Sequence, residues 1–193
     1  MAERVLRVFV AVKVENGSVL EQIKRLQDEL ERAGLKAKMV ELENMHITLQ
    51  FIGEIPREKV LLIQKNLQEI KTPPFTISLE GVGAFPNPRN PRVIWIGIKK
   101  GAEELTSLAK RTAQAIMQAR VKIESEDFTP HLTIARVKAP INSEVRRILD
   151  ANTSTFFGEQ LVSKFSLIKS TLTPKGPIYT DLAEYNLKEA ENE

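Results

Sequence analysis

The chain has 193 residues, of which 42% are hydrophobic and 27% charged, so it can bury a substantial core and is not a disordered tail. It contains no cysteine, which excludes disulfide bonds and thiolate metal sites. The net charge of +3 and the pI of about 9.1 permit a nucleic-acid partner but do not by themselves indicate one.

The first apolar segment, residues 7–14, has the pattern of a buried strand. It is interrupted by Lys13 and is far shorter than the roughly 18 residues that a membrane span requires. No cleavage site for a signal peptide follows it. We therefore expect a cytoplasmic protein that does not enter a membrane.

Strand and helix patterns alternate along the first half. Apolar residues recur at helical spacing over 18–33 and stop at Gly34, whereas 45–52 alternates polar and apolar residues as a strand does. A second helix begins at Pro56, and Pro73 and Pro74 separate it from a short strand over 75–79.

The second half repeats this order. It contains predicted strands over 92–98, 121–124, 132–137 and 161–169, predicted helices over 102–119 and 142–150, and a polar tail over 188–193. A constant offset of 85 residues relates the halves without a gap, pairing Arg7 with Arg92, Leu20 with Leu105, His46 with His131, Thr48 with Thr133, Val60 with Val145 and Ile63 with Ile148. The same offset places a last strand near 177–179.

This internal repeat predicts an α+β fold of two similar halves, approximately 1–85 and 92–185, related by a pseudo-two-fold axis with a cleft between them. Residues 1–193 would form a single bilobal domain. The segment 85–92 contains three prolines, so we expect an ordered loop or hinge there. Its arginines could contact phosphate, although a stiff loop carrying solvated charge is the simpler interpretation.

The two histidines of the chain stand in the same local motif, His-x-Thr-x, at His46 to Thr48 and at His131 to Thr133. Residues i and i+2 of a strand share a face, so each histidine lies beside its own threonine. Under the pseudo-two-fold axis, the two pairs face each other across one cleft, with room for a tetrahedral anion.

This arrangement suits phosphoryl chemistry. An imidazole with an ordinary pKa near 6.5 can be neutral or protonated at physiological pH, so a pair can act as base and acid. The hydroxyls of Thr48 and Thr133 can donate to phosphate oxygens. Arg136 would add a permanent positive charge, but strand alternation points it out of the cleft unless a bulge follows Ile134.

A metal site is the other common use of paired histidines. Two imidazoles need further ligands, and the sequence has no His-x-His or His-x-x-x-His pattern. The carboxylates that flank the motifs are better explained as solvated groups or as partners that orient a ring; they are Glu43, Glu54, Glu126 and Asp127. We therefore expect neither a metal nor another cofactor.

The chain resembles the two-histidine (2H) phosphoesterase superfamily, and within it the RNA 2',3'-cyclic phosphodiesterases, also called 2'-5' RNA ligases. The resemblance runs nearly the whole length. It is carried by Arg7-Val-Phe-Val-Ala11, Asn44-Met-His-Ile-Thr-Leu-Gln-Phe-Ile-Gly53, Pro91-Arg-Val-Ile-Trp95, Phe128-Thr-Pro-His-Leu-Thr-Ile-Ala-Arg136 and Leu172-Thr-Pro-Lys-Gly-Pro-Ile-Tyr179.

The resemblance implies an antiparallel sheet in each lobe lining a positive central cleft, with helices outside and no metal. It implies hydrolysis of an RNA terminal 2',3'-cyclic phosphate to a 2'-phosphate. His131 would be the proton acceptor that activates water, His46 the proton donor to the leaving 3'-oxygen, and Thr48 and Thr133 the phosphate-binding residues. The local motifs alone do not distinguish the acid from the base.

Three other functions remain open. The same site run in reverse would ligate RNA ends through a 2'-5' linkage, and a related enzyme would act on small cyclic nucleotides. A non-catalytic module that binds RNA ends is the third, although arginine or lysine would suit binding better than titratable imidazoles.

We expect a monomer acting on RNA ends, including those of tRNA fragments, in RNA processing. Aromatic residues such as Trp95, Phe51, Phe85 and Tyr179 could stack a base, although core positions are more common for them.

Overall fold

A computed structural model of the protein describes residues 3–123 and 128–189. These residues form nine strands, four α-helices and a short 3-10 helix at Leu42–Asn44. In chain order the elements are β1 (Val5–Lys13), α1 (Gly17–Arg32), β2 (Ala37–Met39), β3 (His46–Pro56), α2 (Arg57–Gln68), β4 (Phe75–Phe85), β5 (Val93–Ile98), α3 (Ala102–Gln118), β6 (His131–Val137), α4 (Ser143–Ala151), β7 (Phe156–Val162), β8 (Lys164–Thr173) and β9 (Gly176–Asn186).

The strands form two antiparallel sheets. The first sheet has the order β3-β1-β8-β9, and the second has the order β2-β6-β5-β4-β7. The α+β fold with an antiparallel sheet in each lobe is thereby confirmed. The proline-rich loop connects β4 to β5, which are neighbours in the second sheet, so the junction between the sequence halves lies within one sheet.

The halves of the sequence exchange strands. The 85-residue offset relates β1 to β5, β3 to β6 and β4 to β8. However, β8 of the second half pairs with β1 of the first half, whereas β4 of the first half pairs with β5 of the second. Each sheet therefore contains strands from both halves, and neither half can complete its sheet alone.

The helices follow the same exchange. Helices α2 and α3 pack on the first sheet, and α1 and α4 pack on the second. Their apolar faces join the inward residues of both sheets in one large hydrophobic cluster, which includes Val10, Ile23, Ile63, Ile116 and Ile148. Alternation along the strands turns the remaining side chains toward the cleft.

Two strand predictions were wrong. The apolar run 161–169 is not one strand, because the chain leaves the second sheet after Val162 and enters the first sheet at Lys164. Residues 121–123 have no regular structure, although the equivalent residues of the first half form β2; Glu124 lies outside the described residues. The predicted last strand is confirmed and extended as β9. The tail prediction is only partly covered, since 190–193 are not described, while Lys188 forms an isolated β-bridge with Thr72.

Within the ranges 3–123 and 128–189, no helix has both the length and the apolar composition needed to cross a membrane.

Gln27 of α1 joins the two sequence halves in the second sheet. It is 2% exposed, and its Nε2 donates to the carbonyls of Val40 and Ile134 at 3.0 Å each. Val40 follows β2 from the first half, whereas Ile134 lies in β6 from the second. One buried amide thus bridges strands that are far apart in sequence.

We expect Gln27→Leu to lower the free energy of unfolding by about 1–3 kcal/mol, because it removes both hydrogen bonds from a buried position at little change in size. Chemical denaturation measures the change. The matched control is Gln22→Leu on the exposed face of the same helix, which should change stability by no more than about 0.5 kcal/mol. Equal stability losses in the two variants would contradict the bridging role.

Candidate active site

The two His-x-Thr-x motifs lie on strands β3 and β6, as the alternation predicts. In β3, His46 and Thr48 are partly exposed while Ile47 is fully buried. In β6, His131 and Thr133 are likewise partly exposed, beside fully buried apolar neighbours. The buried residues anchor each strand in the core, so the intervening imidazole and hydroxyl are held on the cleft face.

Both imidazole rings are oriented by the same backbone contact. The Nδ1 atom of His46 lies 2.8 Å from the carbonyl oxygen of Asn44, and Nδ1 of His131 lies 2.7 Å from that of Thr129. A carbonyl oxygen can only accept, so Nδ1 must carry the proton in each ring. Nε2 is therefore the atom left to exchange a proton in the cleft.

One cavity of about 500 Å³ brings all five predicted site residues together, namely His46, Thr48, His131, Thr133 and Arg136. Arg136 reaches it by the bulge that the alternation required. Thr133 pairs with Trp95 and Ala135 with Ile94, so Ile134 is an extra residue of β6 that has no partner on β5. The bulge buries two successive residues, Ile134 and Ala135, and returns the next side chain to the cleft.

Each histidine is enclosed by different aromatic rings. His46 lies 5.0 Å from Phe9 and 5.4 Å from Tyr179 between ring centroids, whereas His131 lies 5.3 Å from Phe85. Not all of the aromatic residues are in the core, because Phe51 is 50% exposed and lines the cavity with Tyr179. Each histidine therefore has aromatic neighbours, but the two sides of the cleft supply different rings.

The electrostatic environment lowers the pKa of His46 below its ordinary value. Burial is the main cause, and the positive charges of Arg136 and His131 act in the same direction, while the Asn44 carbonyl opposes them. Burial also raises the pKa of Tyr179, an effect that Arg136 and Arg7 reduce. At neutral pH, His46 is therefore mainly neutral and the Tyr179 hydroxyl retains its proton.

Other positive groups in the cavity were not identified from the sequence. They are Arg7 from β1, Lys38 from β2 and Lys175 from the β8–β9 turn. The Nζ of Lys38 donates to the carbonyl of Lys175 at 3.2 Å, so the turn of the first sheet touches an edge strand of the second across the cleft. Strand alternation could have placed Arg7 on the same face as Phe9, but no local pattern indicates that β2 joins the other sheet.

The flanking carboxylates do not orient the rings in the part of the chain that the structure describes, since backbone carbonyls take that role. Glu126 and Asp127 lie outside the described residues. Among residues 3–123 and 128–189, no three or more acidic or histidine side chains are grouped closely enough to hold a metal ion.

Both the sequence and the fold of the chain are similar to those of known proteins. The family model described as LigT like Phosphoesterase matches twice, at residues 14–95 and 96–179, once in each half. A relative from Archaeoglobus fulgidus, named RNA 2',3'-cyclic phosphodiesterase, is 48% identical over 92% of this chain and 98% of its own. One of the same name from Aquifex aeolicus is 40% identical over 95% of this chain and 98% of its own. A solved structure of a Thermus thermophilus protein superposes with a TM-score of 0.80 at 30% identity, covering 95% of this chain and 99% of that one.

We expect one of the two histidine signals in an NMR pH titration to show a pKa below 6.5, and His46→Gln to remove that signal. Arg136→Gln should raise the pKa of His46, because it removes a positive charge that disfavours protonation of the ring. The control Arg92→Gln removes the same charge from outside the cavity and should leave the titration unchanged. A His46 pKa at or above 6.5, or one insensitive to Arg136→Gln, would overturn this account.

Proposed function

This chain belongs to the LigT-like family of 2H phosphoesterases, and we propose that it hydrolyses the terminal 2',3'-cyclic phosphate of RNA to a 2'-phosphate. The observation that carries the proposal is the pair of imidazoles whose Nδ1 atoms are bound to backbone carbonyls, leaving both Nε2 atoms for one shared cavity. The names of the relatives supply the substrate class.

In the proposed reaction, a water attacks the phosphorus opposite the 3'-oxygen. Nε2 of His131 takes the water proton as the new P–O bond forms. The bond from phosphorus to the 3'-oxygen breaks, and the 3'-oxygen takes the proton of His46 Nε2. One proton thus enters at His131 and one leaves at His46, and exchange with solvent restores the starting state.

The lowered pKa of His46 bears on its assignment as the proton donor. Burial disfavours the imidazolium form of His46 most strongly, and the positive charges of Arg136 and His131 disfavour it further. A phosphate anion held beside them offsets these positive charges, so substrate binding raises the pKa of His46 toward the protonated form that the reaction needs. Substrate binding thereby favours the charged acid.

The remaining residues bind the phosphate in the proposal. The hydroxyls of Thr48 and Thr133 donate to the two non-bridging oxygens from opposite sheets, and Arg136 adds its charge from β6. No step uses a metal or another cofactor. A binding module would not need the free Nε2 atoms, so the geometry favours catalysis over simple capture of an RNA end.

We further propose that residues 1–193 act as one bilobal unit and as a monomer. The hydrophobic cluster shared by both sheets supports the first point, and the presence of both motifs in one chain supports the second.

RNA ends, including those of tRNA fragments, are the proposed partners, and the cytoplasm is the proposed location because RNA is an intracellular polymer. Ligation would be the reverse reaction, with a 5'-hydroxyl taking the place of water.

The first test is hydrolysis of an oligoribonucleotide ending in a 2',3'-cyclic phosphate, in excess EDTA, by wild type, His46→Ala and His131→Ala. We expect wild type to form only the 2'-phosphate, and each variant to lose about 10²- to 10⁴-fold in kcat while binding the RNA end nearly as well. Unchanged thermal unfolding would show that the variants are folded. Absence of turnover by wild type, with tight end binding, would leave the binding module as the function.

A second prediction concerns the threonines. Thr48→Val and Thr133→Val preserve shape but remove the hydroxyl donors, so each should lower kcat about 10- to 100-fold. Thr76→Val, on β4 and outside the cavity, is the matched control and should retain full activity. If the threonine variants of the two motifs match the control, the phosphate is not held by these hydroxyls.

A further inference from the structure

The pseudo-two-fold symmetry of the site does not extend to the arginine of the second motif. Arg136 stands five residues after His131, and the 85-residue offset places Phe51 at the corresponding position after His46. A positive charge is nevertheless present on that side. It comes from the neighbouring strand, where the guanidinium of Arg7 lies 5.0 Å from the centroid of the Phe51 ring.

Arg7 is a cation available to a ligand. It lines the cavity from β1 and is partly exposed. Its backbone partner on β3 is Glu54, yet Arg7 forms no ion pair with Glu54 or with any other carboxylate among residues 3–123 and 128–189. Stacking on Phe51 limits the positions of the guanidinium while leaving its N–H groups free to donate.

Arg7 lies well along β1 from the residue of that strand that faces Thr48. Thr48 pairs with Ala11, and Arg7 lies four residues from Ala11, about 13 Å along the strand at ~3.3 Å per residue. The pKa effects agree with this separation, since Arg136 lowers the pKa of both His46 and Tyr179, whereas Arg7 lowers that of Tyr179 and is not a cause of the shift at His46. The backbone offset and these pKa effects both favour different anion positions for the two arginines.

The direction of the RNA follows from the proposed chemistry. The leaving 3'-oxygen belongs to the terminal nucleoside, so that nucleoside lies on the side of the proton donor, His46, against the first sheet. Arg7, Phe51 and Tyr179 belong to the same sheet. The next anion along the RNA is the phosphodiester on the 5' side of the terminal nucleoside.

We infer that Arg7, held on the ring of Phe51, binds this linking phosphodiester and so makes the site prefer RNA to a mononucleoside cyclic phosphate. The inference rests on the proposed function and adds a second phosphate subsite to it. Nucleoside 2',3'-cyclic phosphates lack the linking phosphodiester and would gain nothing from Arg7.

The test compares two dinucleotides that both end in a 2',3'-cyclic phosphate, one joined by a phosphodiester and one by a neutral methylphosphonate. We expect wild type to show about tenfold higher kcat/KM on the phosphodiester, because a charge-assisted hydrogen bond is lost in the other. Arg7→Gln should reduce this preference to about onefold, and Phe51→Leu should reduce it in part. The control Arg92→Gln, at the position related to Arg7 by the repeat and outside the cavity, should keep the wild-type preference.

The outcomes separate this inference from the proposed function. If wild type hydrolyses both dinucleotides with equal kcat/KM, or if Arg7→Gln retains the full preference, the subsite is wrong and the phosphodiesterase stands. If wild type hydrolyses neither dinucleotide and no nucleoside cyclic phosphate, the proposed function fails and the subsite fails with it.

Discussion

The hydrogen bond from each histidine ring to the carbonyl two residues before it is the interaction on which the chemistry of this cleft depends. It determines which nitrogen carries the proton, and it leaves Nε2 of both rings for the shared cavity. The bond is local, since donor and acceptor lie on the same short segment. The tautomer of each histidine is therefore set by its own strand segment and does not depend on contacts with the rest of the protein.

The exchange of strands between the halves brings the two motifs together. Because β8 completes the sheet of β3 and β4 completes the sheet of β6, separation of the two sequence halves would break strand pairs in both sheets. The contact of Lys38 with the β8–β9 turn adds a further link across the cleft. A rigid frame of this kind suits in-line chemistry, which needs the acid and the base on opposite sides of one phosphorus atom.

The repeat supplies two equivalent histidines, but the proposed reaction needs one as acid and the other as base. Their difference arises from the surroundings. His46 lies near Phe9 and Tyr179, and its pKa is lowered by burial and by Arg136, whereas His131 lies beside Phe85 on the other sheet. Phe51 stands at the position after the first motif that corresponds to Arg136 after the second. The first motif therefore has no arginine of its own at that position, and the guanidinium of Arg7 stacks on the Phe51 ring instead. Loss of symmetry at a few positions thus gives each side of the cleft its own role.

The sequence by itself determined the elements that depend on local pattern. These are the helices, the alternation that turns His46, Thr48, His131 and Thr133 to one face, and the repeat that predicts two similar halves. It also stated the condition for Arg136, a bulge after Ile134, without showing that the bulge exists. Only the tertiary structure decided which strands pair. The apolar run 161–169 is continuous in sequence but divides between two sheets, and β2 joins the sheet of the other half. Pairing between distant strands is determined by the packing of the whole chain, so no local pattern places Lys38 and Lys175 in the site. Alternation along β1 puts Arg7 on the face of Phe9, and only the pairing of β1 with β3 brings it to Phe51.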